Sequence, residues 1–211
     1  MTGEKRKFLI SLYYPSGFIL FLWIIKIIEA ALNISFIQYG LLPHHLSGLI
    51  GIITYPLIHA NFNHLISNSI PLLFLGTGLI YFYPNGSLKV FLLIYFIPGI
   101  LIWFFARPAY HIGASGLIYG LVTFFFFSGI IRRDNRSIAL ALVVTFLYGS
   151  LVWGVLPIDK TISWEGHLFG SLTGILCAVI FRKYDPPKKY DWEDEPDDDN
   201  HGKLEISYDK E

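Results

Sequence analysis

Two side chains in this sequence have the chemistry of a nucleophile and its base. Ser115 lies within residues 113–116 (GASG), and His167 follows residues 164–166 (WEG). A serine hydroxyl is a poor nucleophile until a neighbouring base takes its proton, and the pKa of histidine suits this task. If the fold brings the two side chains together, the pair can attack the carbonyl carbon of a peptide bond.

Three groups can stabilise the oxyanion that such an attack produces. Ser115 begins an apolar run behind glycines, so free backbone N–H groups are expected there, at the N-terminus of a helix. Asn68 can donate a side-chain N–H to the same oxygen, and His64 can donate as well. A single donor of this type can lower the barrier by about 3 kcal/mol.

No carboxylate is well placed to orient the imidazole. Glu165 lies two residues before His167, which puts it roughly on the opposite face of a helix. Tyr119 lies one helical turn after Ser115 and is predicted to pack against the imidazole. The residues therefore predict a serine–histidine dyad without a third member.

Several polar residues also fit simpler roles. Ser115 could be only a helix N-cap, although that role does not explain a histidine at the same depth. His111 is the main alternative base, but it lacks a glycine stripe and should be mobile in its loop. His59 fits an interface histidine that is satisfied by water. His44 and His45 have no third close ligand, so no metal site is predicted.

Six long apolar runs must position these residues. Hydrophobic residues make up 54% of the chain, and the runs cover residues 15–37, 65–83, 88–106, 114–131, 138–155 and 164–181. Each is about long enough, at ~17–25 residues, to cross a hydrocarbon core as a helix. Lipid admits only helices and closed barrels, and the runs lack the alternation of barrel strands. The predicted fold is all-α, a polytopic membrane protein with six transmembrane helices.

The order of the spans puts the polar clusters at one depth. Spans two, four and six run in the same direction across the membrane. His64 and Asn68 lie near the start of span two, Ser115 begins span four, and His167 is near the start of span six. Three clusters that are distant in sequence therefore share one level, near one surface of the bilayer.

Glycines predict a close approach between spans four and six. Gly113 and Gly116 flank the serine, and Gly120 is four residues further along span four. In span six, Gly170 and Gly174 lie on the same face as the histidine. Small residues at this spacing allow membrane helices to touch at their backbones. Such packing would bring the serine towards the histidine.

Charge predicts the orientation of the chain. Lysine and arginine together equal aspartate and glutamate, 16 of each, so the net charge is zero. If the N-terminus is cytoplasmic, almost all the basic residues of the short segments lie on the inner side, as the positive-inside rule requires. The prediction is a plasma-membrane protein with both termini in the cytoplasm and the dyad near the outer face.

One membrane domain is predicted between two polar ends. Residues 1–14 form a cytoplasmic N-terminus, residues 15–183 the six-span domain, and residues 184–211 an acidic, disordered tail. The segment 38–63 between the first two spans contains an apolar stretch, 46–57, that is expected to lie in the membrane interface. Lys26 and Glu29, three residues apart in span one, are expected to form an intrahelical ion pair.

Three motifs in the chain resemble those of the rhomboid intramembrane serine proteases. Residues 113–116, with Tyr119 four residues after the serine, look like the GxSG motif of that family. Residues 64–68 (HLISN) look like its HxxxN motif in span two, and residues 166–174 (GHLFGSLTG) resemble its last-span histidine followed by GxxxG. The resemblance covers about residues 15–183 and implies a rhomboid-like bundle. A Trp-Arg pair that some members carry in the first outer loop is not found.

The resemblance also implies a function. Ser115 would be the nucleophile and His167 the general base, with Asn68, His64 and the backbone N–H of Ser115 around the oxyanion. Substrates would be single-span membrane proteins, cleaved in or near their transmembrane segment. No metal, nucleotide, nucleic acid or other cofactor is expected. His59 matches a further histidine of the family and is interpreted as structural.

Two other classes of function fit the sequence less well. A catalytically inactive rhomboid-like protein that holds client membrane segments need not keep both the serine and the histidine. A transporter or channel would also contain intramembrane polar residues. Here, however, these residues lie near one surface and form no path across the bilayer.

Overall fold

The chain folds almost entirely into helices. A computed structural model describes residues 3–159 and 162–186. Within those ranges there is no β-strand, and the single bridge joins Leu41 to His111. The prediction of an all-α fold is confirmed. The predicted acidic tail lies outside the described residues, apart from 184–186.

Seven α-helices form the described part of the chain: α1 (Gly3–Leu32), α2 (Gly51–Thr54), α3 (Phe62–Phe82), α4 (Ser87–Phe105), α5 (Ser115–Arg132), α6 (Asn135–Tyr148) and α7 (Trp164–Ile180). Short 3-10 helices connect some of them, at Ile37–Tyr39, Leu46–Ile50, Tyr55–Leu57 and Gly149–Val155. The last of these continues α6, so that the fifth predicted span is an α-helix that ends in a 3-10 turn.

Six of these segments correspond to the predicted spans. Five of them have at least 18 residues and are apolar enough to cross a membrane: α1, α3, α4, α5, and α6 with its 3-10 extension. The remaining one, α7, is an apolar helix of 17 residues. At 1.5 Å per residue α7 is about 25 Å long, close to the lower limit for a span.

The first helix begins twelve residues earlier than the apolar run predicted. It starts at Gly3, and its first turns contact the far end of α3, where the Tyr81 hydroxyl donates to Glu4 (2.8 Å) and Lys7 lies over the Tyr81 ring. The charged residues that seemed to belong to a separate polar segment therefore continue the helix. Further along α1, the predicted ion pair between Lys26 and Glu29 is confirmed at 3.2 Å.

Helix α5 lies at the centre of the bundle and packs closely on α7. The carbonyl of Gly116 occupies the space that a Cβ at Gly170 would need, and the carbonyl of Gly120 does the same at Gly174. Thr123 strengthens this contact by donating to the Ser171 carbonyl at 2.9 Å. The two helices that bear the serine and the histidine thus meet backbone to backbone.

The connection between α1 and α3 is a compact structure of short helices. Its apolar stretch, predicted for the interface, forms the 3-10 and α-helical turns from Leu46 to Leu57. The Tyr95 hydroxyl of α4 donates to the Ile53 carbonyl at 2.5 Å, and the buried Tyr55 donates to the Tyr95 carbonyl at 3.5 Å. The Tyr55 carbonyl in turn accepts from Gly113, just before α5. The connection therefore supports the backbone that leads to Ser115.

Candidate active site

Ser115 and His167 lie within hydrogen-bonding distance. Ser115 is the first residue of α5, and His167 is the fourth residue of α7. The histidine Nε2 is 2.8 Å from the serine Oγ. The serine hydroxyl can therefore donate to the ring nitrogen that would take its proton.

The other ring nitrogen of His167 has a partner that the sequence did not predict. Its Nδ1 lies 2.9 Å from the carbonyl oxygen of Gly154, in the 3-10 segment that follows α6. A carbonyl only accepts, so Nδ1 must carry the proton and Nε2 is left as the acceptor. A backbone carbonyl here does what the carboxylate does in a catalytic triad, namely fix the tautomer of the imidazole.

Two further contacts define the surroundings of the imidazole. The Tyr119 ring stacks on it with a centroid distance of 4.0 Å and an interplanar angle of 7°. Glu165 forms its ion pair with Arg107, at 3.3 Å, and not with His167. The observed arrangement is therefore a serine–histidine pair with an aromatic ring on one face of the imidazole.

Asn68 and His64 lie beside the loop that leads into Ser115. Gly113 has a φ of +106°, a conformation that favours glycine. A Cβ at this position would be 2.8 Å from His64 Nε2 and 3.8 Å from Asn68 Nδ2. The Asn68 side chain is 4% exposed, and its Nδ2 has no hydrogen-bond partner among the described residues. A buried amide donor next to the serine is thus free for another acceptor.

A cavity of about 710 Å³ contains this group of residues. Its walls come from α3, from the loop before α5, from the end of α6 and from the start of α7. The polar groups that line it include His64, Asn68, Ser115, Tyr119 and His167. All the predicted catalytic and oxyanion side chains therefore border one space.

His59 has a structural position. It is 1% exposed, and its Nε2 accepts from the backbone N–H of Ala114 at 3.4 Å. Burial, together with the charges of His64 and Lys26, lowers its pKa to about 4. The expectation that this histidine lies exposed at the interface is wrong, because the ring is buried against the segment that it supports.

The alternative base, His111, is held away from the serine. Its Nδ1 lies 2.6 Å from Ser163 Oγ, and its Nε2 is 3.3 Å from the Arg107 carbonyl. Burial lowers its pKa, and the Arg107 charge lowers it further, while the Arg107 carbonyl and Glu165 raise it. The prediction that His111 is mobile is wrong, because the ring is buried and its backbone is bridged to Leu41.

Side chains that could bind a metal ion are not clustered in the described ranges, 3–159 and 162–186. Within them, no three histidine, cysteine, aspartate or glutamate side chains are grouped so that they could hold a metal ion. The pair His44 and His45 forms a turn instead, with His44 donating its N–H to the Trp103 carbonyl.

The bundle, the paired serine and histidine, and the free donors beside them define a class of membrane protein. Residues 46–184 match the Rhomboid domain, so the chain belongs to the rhomboid family and is an integral membrane protein. This family generally comprises intramembrane serine proteases.

Several relatives have names that state no activity. Uncharacterized proteins of Mycobacterium tuberculosis and Mycobacterium bovis are 33% identical over 172 residues, covering 77% of this chain and 72% of theirs. An uncharacterized protein of Mycobacterium leprae is 30% identical over 188 residues, with 85% and 74% covered. A putative rhomboid protein of Acanthamoeba polyphaga mimivirus is 30% identical over 135 residues, with 58% and 70% covered.

Proposed function

We propose that this protein is an intramembrane serine endopeptidase that cleaves single-span membrane proteins in or near their transmembrane segment. The observation that carries the proposal is the 2.8 Å separation of Ser115 Oγ and His167 Nε2. Membership of the rhomboid family, in which such proteases are general, supports the same conclusion.

The proposed reaction begins at the serine. Ser115 Oγ attacks the carbonyl carbon of the scissile bond while its proton moves to Nε2 of His167. The resulting imidazolium keeps its Nδ1–H bond to the Gly154 carbonyl and lies against the Tyr119 ring. The histidine then gives its proton to the leaving amine. Water releases the acyl group by the same steps, with His167 again acting as the base.

The negative charge that develops on the carbonyl oxygen needs donors that are already in place. Asn68 offers an Nδ2 that has no partner within the described residues. Ser115 offers its backbone N–H at the first position of α5, where a helix amide has no intrahelical acceptor. His64 lies beside Gly113 and supplies a third candidate donor. Donors fixed in advance stabilise the transition state because they need no reorganisation.

A transmembrane substrate would enter between α3 and α6. The cavity reaches Ser67 and Pro71 on α3, and Tyr148 and Leu151 at the end of α6. A substrate helix must unwind before its peptide bond can reach Ser115, and lipid cannot satisfy the backbone groups that unwinding frees. Substrates with weak helical residues near the cleavage position should therefore be preferred.

The distribution of charge supports a location for the site. Basic residues cluster at the end of the bundle opposite the dyad, among them Lys89, Arg132, Arg133 and Arg136. The positive-inside rule then puts both termini in the cytoplasm and the dyad near the outer face, as expected of a plasma-membrane protein. Cleavage would take place just beneath that outer surface.

The proposal is tested with purified protein in detergent and a single-span reporter substrate. Wild type should cleave the reporter, while Ser115→Ala and His167→Ala should be folded but inactive. Equal cleavage by all three would point to a contaminant or another nucleophile and would overturn the proposal. Failure of the wild type with several different reporters would instead favour a client-binding rhomboid-like protein.

A further inference from the structure

Four side chains connect the loop before α5 to the beginning of α7, and the proposed mechanism uses none of them. Arg107 donates from Nη2 to the Ile162 carbonyl at 2.5 Å, and its Nε lies 3.3 Å from Glu165 Oε1. His111 pairs with Ser163 at 2.6 Å. Two side-chain links and one link to the backbone thus join two segments that are more than fifty residues apart in sequence.

These links lie close to the dyad on both sides. His111 is four residues before Ser115, and Ser163 is four residues before His167. The Ser163 carbonyl also accepts the backbone N–H of His167 at 3.3 Å. The bond between His111 and Ser163 therefore joins the residue four positions before the nucleophile to the residue four positions before the base.

One end of the connection is anchored to the rest of the fold. The N–H of His111 donates to the Leu41 carbonyl at 2.8 Å, and the N–H of Leu41 donates to the His111 carbonyl at 3.0 Å. Leu41 is fully buried. His111 is thus a fixed point, to which the beginning of α7 is held.

The beginning of α7 departs from the usual pattern of a helix N-terminus. Ser163 is at the N-cap position but makes no side-chain bond to the first turn, because its hydroxyl pairs with His111. Glu165 is 3% exposed, and both of its carboxylate oxygens lack a hydrogen-bond partner within residues 3–159 and 162–186. Within the described residues, its ion pair is with Arg107. Such departures from local rules are expected at functional sites.

We propose that His111, Ser163, Arg107 and Glu165 form a clamp that positions the dyad. This inference rests on the proposed protease function. Both catalytic side chains belong to first helical turns, where amides lack intrahelical bonds and helices fray. The glycine contacts hold α5 against α7, and the clamp adds side-chain links between the segments that lead into the two helices. Since an error of about 1 Å in a reacting geometry can lower a rate by about 100-fold, the clamp residues are positioning residues.

The test compares variants of the full chain in detergent by two measurements. Hydrogen exchange reports the protection of amides in residues 167–170, the first in α7 that have acceptors in the preceding turn, and a fluorophosphonate probe reports the rate at which Ser115 is modified. Ser163→Ala and His111→Leu break the link, while Ser163→Thr retains a hydroxyl. Asp134→Ala is the matched control, because it removes an N-cap side chain and an ion pair from α6 on the opposite side of the bundle.

The two link-breaking variants should speed exchange in residues 167–170 and slow modification of Ser115 by about 10-fold or more. Ser163→Thr should behave as wild type, and Asp134→Ala should change neither readout even where it lowers the melting temperature. Wild-type exchange and labelling in Ser163→Ala and His111→Leu would overturn the clamp. An equal effect of Asp134→Ala would also overturn it, by indicating general loosening.

Failure of the proposed function gives a different result. If the probe does not modify Ser115 in the wild type, the protease proposal fails and the clamp is judged by exchange alone. Faster exchange in Ser163→Ala, with normal exchange in Asp134→Ala, would still support the clamp. Unchanged exchange would overturn it.

Discussion

Asn68 differs from an ordinary buried side chain in its hydrogen bonding. Buried amide donors are normally hydrogen-bonded, because an unpaired one loses its interaction with water and gains nothing in return. Asn68 Nδ2 has no such partner within the described part of the chain, although the side chain is buried beside the paired Ser115 and His167. An unpaired donor at this place is suited to an oxyanion that exists only during the reaction.

Replacing Asn68 with alanine should lower kcat by about 100-fold or more, since removal of one oxyanion donor has this effect in serine proteases. KM should stay close to the wild-type value, because the donor acts in the transition state and not on the bound substrate. The melting temperature should change little, as the Asn68 amide donor has no hydrogen-bond partner within residues 3–159 and 162–186 to lose. Steady-state kinetics with a single-span reporter measure these quantities.

Ser67→Ala is the matched control on the same helix. Ser67 also borders the cavity, but its hydroxyl donates to the His64 carbonyl and is already satisfied. Its removal should leave kcat near the wild-type value. A higher KM with unchanged kcat in Asn68→Ala would contradict the oxyanion role and would assign the residue to substrate binding.

The residues at the site differ in how well the sequence predicted them. Ser115 and His167 were paired from span direction and glycine spacing, because membrane depth restricts where a polar residue can lie. Gly154 was missed because its contribution is a backbone carbonyl, which no side-chain pattern marks. The link between Arg107 and Glu165 was missed because residues 58 apart give no local signal of contact.

Helix α6 has few buried residues. Only Ser137, Ala141 and Val144 are buried in it, and Phe146 is 89% exposed. Its 3-10 extension, Gly149–Val155, has no buried residue. Because α6 borders the cavity opposite α3 and its end after Tyr148 has no buried residue, we expect this end to move aside for a substrate.

Joining α3 to α6 should therefore block cleavage of a transmembrane reporter. Cysteines at Ser67 and Leu151, which border the cavity on its two sides, can be connected by a bifunctional reagent in a background that lacks Cys177. Modification of Ser115 by a small soluble probe should persist, since only the lateral entry is closed.

The control is a link between α1 and α3, made with cysteines at positions 18 and 72. Phe18 and Leu72 line an apolar groove of about 460 Å³ that α1, α3 and α4 form. It should leave cleavage unaffected, because it does not restrain α6. Full cleavage after efficient joining of α3 to α6 would exclude this route of entry.

Sequence patterns predicted helices better than their boundaries and irregularities. The apolar runs indicated every long helix, because a membrane span must be continuous and satisfied within itself. The start of α1 at Gly3 was not predicted, since Lys5, Arg6 and Lys7 resemble a polar peptide until Tyr81 gives them a surface to pack on. The 3-10 end of span five was not predicted either. Span five is apolar throughout, so hydropathy alone cannot distinguish its α-helical part from its 3-10 end.

At the scale of the whole molecule, the end of the bundle opposite the dyad is held by the segment after α7. The Asp185 carboxylate accepts from the N–H groups of Asn85 and Gly86 at 2.9 and 3.0 Å, where α4 begins. The Asp185 carbonyl accepts from Arg132 and from Arg136. One residue therefore joins the α3–α4 turn to the α5–α6 turn, at the point where the acidic part of the sequence starts.

This arrangement separates the role of Asp185 from that of the residues that follow. Asp185→Ala should lower the free energy of unfolding by about 2 kcal/mol, because two amides at a helix N-terminus lose a charged acceptor. Removal of residues 192–211 should change neither the unfolding transition nor reporter cleavage, since Asp185 is retained and the dyad lies at the other end of the bundle. Thermal unfolding in detergent and reporter kinetics test both variants. Loss of cleavage by a well-folded truncated protein would mean that the acidic region acts on the site from across the membrane. An unaltered melting temperature in Asp185→Ala would show that the two turns are held by their own packing.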